Sequence, residues 1–394
     1  MLSKAVAAAT ALSLAVLFLP GIARGELVYN VASFGARADG ASDSSAAFLK
    51  AWAMSCSATT PATIYVPSGS FLLRGAKFVG PCRSSSVTFR IDGTIVAPSD
   101  YNVNGHSGYW ILIRDVSGVS VIGGTLDGRG AGLWSCKARG GSCPQGATNL
   151  EFSNADNVYV KGLTSLNSQM FHIVINACKD VRIQGVHIEA PGTSPNTDGI
   201  HIGESDTVTV LGSKIGTGDD CISLGPGSSN VWIEGVSCGP GHGISIGSLG
   251  SSPNENGVQN VTVSTVTFTG TQNGVRIKSW AKQSNGFARH IFFQHATMNN
   301  VQNPIIIDQS YCPYYSGCSN EPSGVSVSDV TYFDIHGTSA TEVAVNLDCS
   351  SEYPCSSIKL EDVKLTYEGN QAATSSCRNA GGTSSGVVVP SSCL

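Results

Sequence analysis

Between Asn196 and Gly247 the chain reads NTDGIHIGESDTVTVLGSKIGTGDDCISLGPGSSNVWIEGVSCGPGHGISIG. Three short alternating runs stand in it at one spacing: Ile200-His201-Ile202, Ile222-Ser223-Leu224 and Ile244-Ser245-Ile246. The same kind of run precedes them at Ile173-Val174-Ile175 and follows at Val275-Arg276-Ile277. A second set interleaves with the first. It comprises Val158-Tyr159-Val160, Val181-Arg182-Ile183, Val208-Thr209-Val210, Val231-Trp232-Ile233, Val261-Thr262-Val263, Ile291-Phe292-Phe293, Val325-Ser326-Val327 and Ile358-Lys359-Leu360, with starts 23, 27, 23, 30, 30, 34 and 33 residues apart. Each run has the period-2 pattern of a strand, with Gly, Asn or Asp at its ends. Two strands per repeat with no helical periodicity between them cannot be βαβ units. Stacking each coil on the last gives a parallel β-helix whose Val and Ile pile up inside. A sandwich would need Asn-Gly hairpin turns between runs, and the spacing offers few. The expected fold is all-β: a single-domain right-handed parallel β-helix.

The open end of such a coil exposes unpaired strand edges and must be covered. Residues 44–55 are suited to this as a short N-terminal capping helix. Asp43 or Ser44 is a good N-cap, and Ala46, Leu49, Trp52, Ala53 and Cys56 recur at helical spacing. At the other end a Ser/Gly-rich tail is tied if Cys377 pairs with Cys393.

Residues 1–25 read as a secretory signal peptide. Lys4 precedes the apolar run Ala5 to Pro20, and Ala23-Arg24-Gly25 supplies small residues for cleavage. The run is short for a bilayer span, which needs about 20 apolar residues. The domain expected is therefore 26–394, secreted and extracellular, with no membrane partner. A net charge of −5 argues against a nucleic-acid partner. It also means that a polyanionic substrate must be held by a local cation cluster against the global field. Thirteen cysteines in a secreted chain imply disulfides plus one thiol left over. Near neighbours suggest Cys136 with Cys143, Cys312 with Cys318, Cys349 with Cys355 and Cys377 with Cys393. Cys221 with Cys238 and Cys56 with Cys82 complete the set, leaving Cys178, although spacing alone does not fix connectivity. No CxxC pair occurs, so no metal and no cofactor is expected. The single Asn-x-Ser/Thr sequon, Asn260-Val261-Thr262, marks Asn260 as a glycan site.

The repeat also aligns reactive residues. Asp198, Asp220 and His242 stand 22 residues apart, each two positions before a strand run, and Asp219 adds a third carboxylate. Neighbouring coils lie about 4.8 Å apart, so these side chains stack. Carboxylates this close repel, which raises one pKa and leaves an acid beside an ionised base, as glycoside hydrolysis requires. Arg276 and Lys278 supply cations suited to a substrate carboxylate. Singly, each is an ordinary turn or strand residue; their shared register is what overturns that reading.

Asn196-Thr197-Asp198, Gly218-Asp219-Asp220, Gly241-His242-Gly243 and Arg276-Ile277-Lys278 resemble, in order, the four signature segments of polygalacturonases, the family 28 glycoside hydrolases. The resemblance runs from Tyr29 to the C-terminal cysteines. It implies Asp219 as general acid, Asp198 and Asp220 as the pair activating water, and His242 as support for the acid. It also implies substrate contacts from Asn196, Arg276, Lys278 and Tyr311. The substrate implied is the α-1,4-galacturonosyl backbone of pectin, cut with inversion by a monomer. Gly239 to Gly247 and Tyr311-Cys312-Pro313 are similar to the pollen exo-acting branch of plant members, and an endo-acting enzyme is the alternative. A pectate lyase would need calcium and a proton-abstracting base. A hydrolase of branched pectin and an inactive pectin-binding, allergen-like protein are the remaining rivals.

Overall fold

Val and Ile at every second position give each strand one apolar side, and only a closed coil can turn all of those sides inward. That is the arrangement in the computed structural model, which describes residues 27–313, 318–319, 321–369 and 371–394. The expected signal segment 1–25 lies outside the described residues. The strands join into one continuous, almost wholly parallel sheet wound as a right-handed β-helix.

The second-named set of runs forms one ladder in the order Val158, Val181, Val208, Val231, Val261, Ile291. The next partner is Val330, five residues beyond the run expected at Val325, and Val330 pairs in turn with Ile358. An insertion between coils displaced that one assignment. The other set pairs without a slip: Ile173, Ile200, Ile222, Ile244, Val275, then Ile305 and Val345. A third ladder went unread. Its strands, such as Thr164–Leu166, His187–Glu189 and Lys214–Gly216, have three residues each. Each turns only one residue inward, Ser165, Ile188 or Ile215, so there is no pair of apolar positions to alternate.

Ile200, Ile202, Ile222, Leu224, Ile244, Ile246, Val275 and Ile277 are fully buried. Each inward side chain contributes about 1.5–3 kcal/mol through burial. The residues between them, His201, Ser223, Ser245 and Arg276, therefore face outward in a single column. The interior also holds a polar cluster. His172 Nδ1 lies 2.9 Å from Ser165 Oγ, and Asn149 donates to that same oxygen at 3.0 Å.

The capping helix spans Ser45–Ser57. Asp43 rather than Ser44 supplies its cap, accepting from Ser45 N at 2.9 Å. Its buried face is Ala47, Phe48, Ala51, Trp52 and Ser55, so of the expected stripe only Trp52 belongs fully to it and Leu49 is exposed. Trp52 sets the face: its ring stacks on Phe89 at 5.7 Å and its indole donates to Val79 O at 3.2 Å. All six expected disulfides are present, and Cys178 is the buried free thiol. Asn260 is exposed, in the left-handed region, on a ladder different from the one that carries the reactive column.

Candidate active site

Because Ile200, Ile222 and Ile244 are register partners, Asp198, Asp220 and His242, each two residues earlier, stand on successive coils. The turns that carry them are packed too closely for ordinary residues. A Cβ on Gly218 would lie 1.9 Å from Ser194 O. Gly243 has φ +88°, and a Cβ there would lie 2.1 Å from Asn273 O. The Cys221–Cys238 disulfide ties the Asp219-Asp220 turn to the strand end that leads to His242.

Asp219 is the carboxylate at the surface of the site. Its Oδ1 accepts from Asp220 N–H at 2.8 Å and lies 3.1 Å from His242 Nδ1. Its Oδ2 accepts from Asn196 Nδ2 at 3.4 Å. A protonated His242 ring donates to Asp219, and a neutral ring with a bare Nδ1 accepts a hydrogen bond from a protonated Asp219, so the contact serves either state. Asp220 lies beneath, fully buried, with both oxygens engaged. Arg276 Nη2 donates to Oδ1 at 2.7 Å, Lys278 Nζ to Oδ2 at 2.8 Å, and Ser245 Oγ to Oδ1 at 2.8 Å. Burial opposes its charge, but Lys278 and Arg276 outweigh burial and hold the carboxyl down at about 2. Asp198 behaves oppositely. Burial first, then the charges of Asp219 and Asp220, push it well above the ordinary carboxylate range. The raised carboxyl that crowding demanded is thus Asp198, and not Asp219, the residue that the resemblance implies as the acid.

Asn196, Asp219, His242, Arg276 and Tyr311 line one open cleft of about 870 Å³, while Asp198, Asp220 and Lys278 lie under its floor. All eight expected residues come together. Tyr311 closes the cation side, its ring centroid 5.1 Å from Lys278 Nζ and 5.9 Å from Arg276 Cζ. One expectation is modified: Arg276 and Lys278 are not free cations awaiting a substrate, because Asp220 already occupies both.

Sequence reading missed three partners. Ser223 donates to Asp198 Oδ2 at 2.7 Å, Ser245 bridges Asp220 and Arg276, and His201 Nδ1 lies 2.8 Å from Ser223 Oγ. The signal was available, since a polar residue at the outward centre of three consecutive site-bearing strands is itself a register pattern. Trp280, in edge contact with Tyr311 at 5.2 Å, also lines the cleft.

Asp219, Asp220 and His242 each bring one donor atom within 4.8 Å of the others, the sole such triad among the described residues. The donor set fits a divalent ion poorly. Both Asp220 oxygens are committed to cations, and those two positive charges repel a third.

Residues 56–392 match the family described as glycosyl hydrolases family 28. The chain is 64% identical over 369 residues to a polygalacturonase of Prunus persica, covering 93% of this chain and 94% of that one. It is 45% identical over 375 residues to an exopolygalacturonase of Platanus acerifolia, covering 94% and 98%. In three dimensions it resembles the endo-xylogalacturonan hydrolase of Aspergillus tubingensis, with TM-score 0.78 over 91% of this chain and 100% of the other at 22% identity, a likeness of fold.

Proposed function

The chain belongs to glycoside hydrolase family 28, and from that premise we propose that it hydrolyses the α-1,4-galacturonosyl linkages of polygalacturonate. In this reading Asp219 protonates the leaving glycosidic oxygen, and Asp198 with Asp220 activates the attacking water. His242 supports Asp219. Asn196, Arg276, Lys278 and Tyr311 hold the sugar. One observation carries the reading: of the two cleft-lining carboxylates, Asp219 and Asp308, it is Asp219 that His242 and Asn196 contact and that adjoins two buried carboxylates of opposite proton affinity. Asp220 stays ionised under its two cations, while Asp198 is basic enough to take a proton from water. Arg276 and Lys278 act on a substrate carboxylate by sharing their charge between it and Asp220.

The working unit is one domain, residues 26–394, acting as a monomer, since all eight site residues come from one chain. It is secreted to the cell wall after loss of residues 1–25, with a glycan on the exposed Asn260. Six disulfides support an oxidising destination, and no helix among the described residues is long and apolar enough to cross a membrane. The exo mode is supported by the Platanus acerifolia relative.

A second reading has its own observation. Oxygens of Asp219 and Asp220 approach within 4.8 Å, close enough to suit the short carboxyl separation of retaining enzymes, roughly 5–5.5 Å. Retention would make Asp220 a nucleophile, but both its oxygens are tied down by Arg276, Lys278 and Ser245, so inversion is favoured. Product analysis on polygalacturonate tests the activity. Galacturonate monomer alone is the expected result, a ladder of oligomers would replace exo by endo, and an ultraviolet-absorbing unsaturated product would refute hydrolysis.

A further inference from the structure

The outward column His201, Ser223, Ser245, Arg276 runs through consecutive strands of one ladder. Its two serines do the same job one coil apart. Ser223 Oγ donates to Asp198 Oδ2 at 2.7 Å, and Ser245 Oγ donates to Asp220 Oδ1 at 2.8 Å. What backs each serine differs. Arg276 Nε donates to Ser245 at 2.9 Å, whereas His201 Nδ1 meets Ser223 at 2.8 Å. A hydroxyl has one proton. If Ser223 spends it on Asp198, then His201 must carry its proton on Nδ1 and donate to Ser223.

We propose that His201 is a positioning residue that holds Ser223 as a hydrogen-bond donor to Asp198, and so sets the pH at which Asp198 becomes a working base. The inference rests on the acid–base reading of the site given above.

The groups around this chain fix the direction of the effect. Asp198 faces Asp219 and Asp220, whose charges disfavour its ionisation, and Lys278, which favours it. The donated Ser223 hydrogen bond is the other influence on the side of the ionised form. His201 itself is kept neutral. Burial first, then Lys278, lower it to about 4, against the pull of Asp220. Its ring is also fixed in place, lying on Phe171 at 5.1 Å with 29° between the planes. A neutral imidazole can therefore donate without adding a charge. Lys278 and Arg276, both hydrogen-bonded directly to Asp220, add permanent charges, which is why Asp220 stays ionised while Asp198 remains able to titrate. The two coils carry the same serine and two different backers, giving one fixed carboxylate and one adjustable one.

Removing the donor makes ionised Asp198 harder to form, so the acid limb of the pH–rate profile must move to higher pH. The test is the pH dependence of kcat and kcat/KM on polygalacturonate for wild type, Ser223→Ala, His201→Phe and His201→Asn. Asn keeps an N–H close to the place of Nδ1. Ser223→Ala should move the acid limb up by about one pH unit or more, the size of a lost hydrogen bond to a charged group, and His201→Phe should move it in the same direction by less, since Ser223 keeps its hydroxyl but is no longer held as a donor. His201→Asn should restore most of the shift. Substrate ionisation is common to all four proteins and cancels. If His201→Phe fails to fold, as judged by circular dichroism and thermal unfolding, Ser223→Ala and His201→Asn carry the test: an unmoved limb in the first, or a limb in the second moved as far as in the first, overturns the proposal. Lower rates with unmoved acid limbs would overturn the proposal, as would a shift that Asn does not reverse. A wild type inactive on polygalacturonate would overturn both this inference and the activity it rests on, whereas an active wild type with unmoved variants overturns this one alone.

Discussion

Arg276 shows how a residue legible as a type was not legible in its task. Sequence register placed it beside the carboxylates, and charge made it a sugar-carboxylate ligand. Its side chain is only 9% exposed, and it pairs with an Asp220 side chain that is 1% exposed. No spacing argument reveals that depth, because burial depends on loops outside the repeat. The consequence is a prediction about stability as well as rate. Arg276→Ala leaves Asp220 with Lys278 alone and should cost about 3 kcal/mol, the lower end for a broken buried pair. The pH sign follows from Asp220, whose folded pKa falls from 3.8 to about 2. That stabilisation is present above about pH 4 and lost as pH falls through about 2. Urea unfolding should therefore show the variant's deficit at pH 5 and a smaller one near pH 2.5. A variant as stable as wild type at pH 5, with only KM changed, would make Arg276 a plain substrate ligand.

At the scale of elements, the runs long enough to alternate were readable and gave two of the three ladders, including the one that carries the chemistry. Those missed were short strands such as Thr164–Leu166 and Lys214–Gly216 with a single inward residue each, and the one misplaced run followed an insertion that coil spacing could not see. The capping helix was found but turned, because Trp52 meets Phe78 and Phe89 and Phe48 meets Phe71, while Leu49 is exposed. Cys221–Cys238 joins two elements of the site directly, closing a separation of 17 residues. The double variant Cys221→Ala/Cys238→Ala should lose about 3 kcal/mol, as expected for a loop of that size. It should also lower kcat more than it raises KM, since the tie sets Asp219 against His242 and not the substrate contacts. Denaturant midpoints and kinetics on one preparation check this. Unchanged kcat at reduced stability would make the bond a staple with no bearing on the site.

For the whole molecule, the interior carries a titration cost that the hydrophobic repeat hides. His172 is fully buried, and burial depresses it to about 3 despite its Ser165 contact. A depressed histidine contributes stability that is present above its unfolded pKa, about 6.5, and lost as pH falls below it. His201, lowered to about 4, acts in the same direction, and Asp198, raised, acts in the opposite one. Melting temperature should therefore decline as pH falls from 6.5 toward 4. His172→Gln should flatten that decline, removing up to about 1.4 kcal/mol per pH unit of slope. Identical slopes for wild type and variant would show that His172 is not the titrating group.

Asp219 must deliver a proton to a glycosidic oxygen, and proton NMR of a galacturonate trimer during turnover tests that most directly. Wild type should release saturated galacturonate that appears first as the inverted β-anomer. Asp219→Asn, folded and still binding the trimer, should be slower by about 10²–10⁴-fold or more. An unsaturated product, or a variant within a few-fold of wild type, would contradict it.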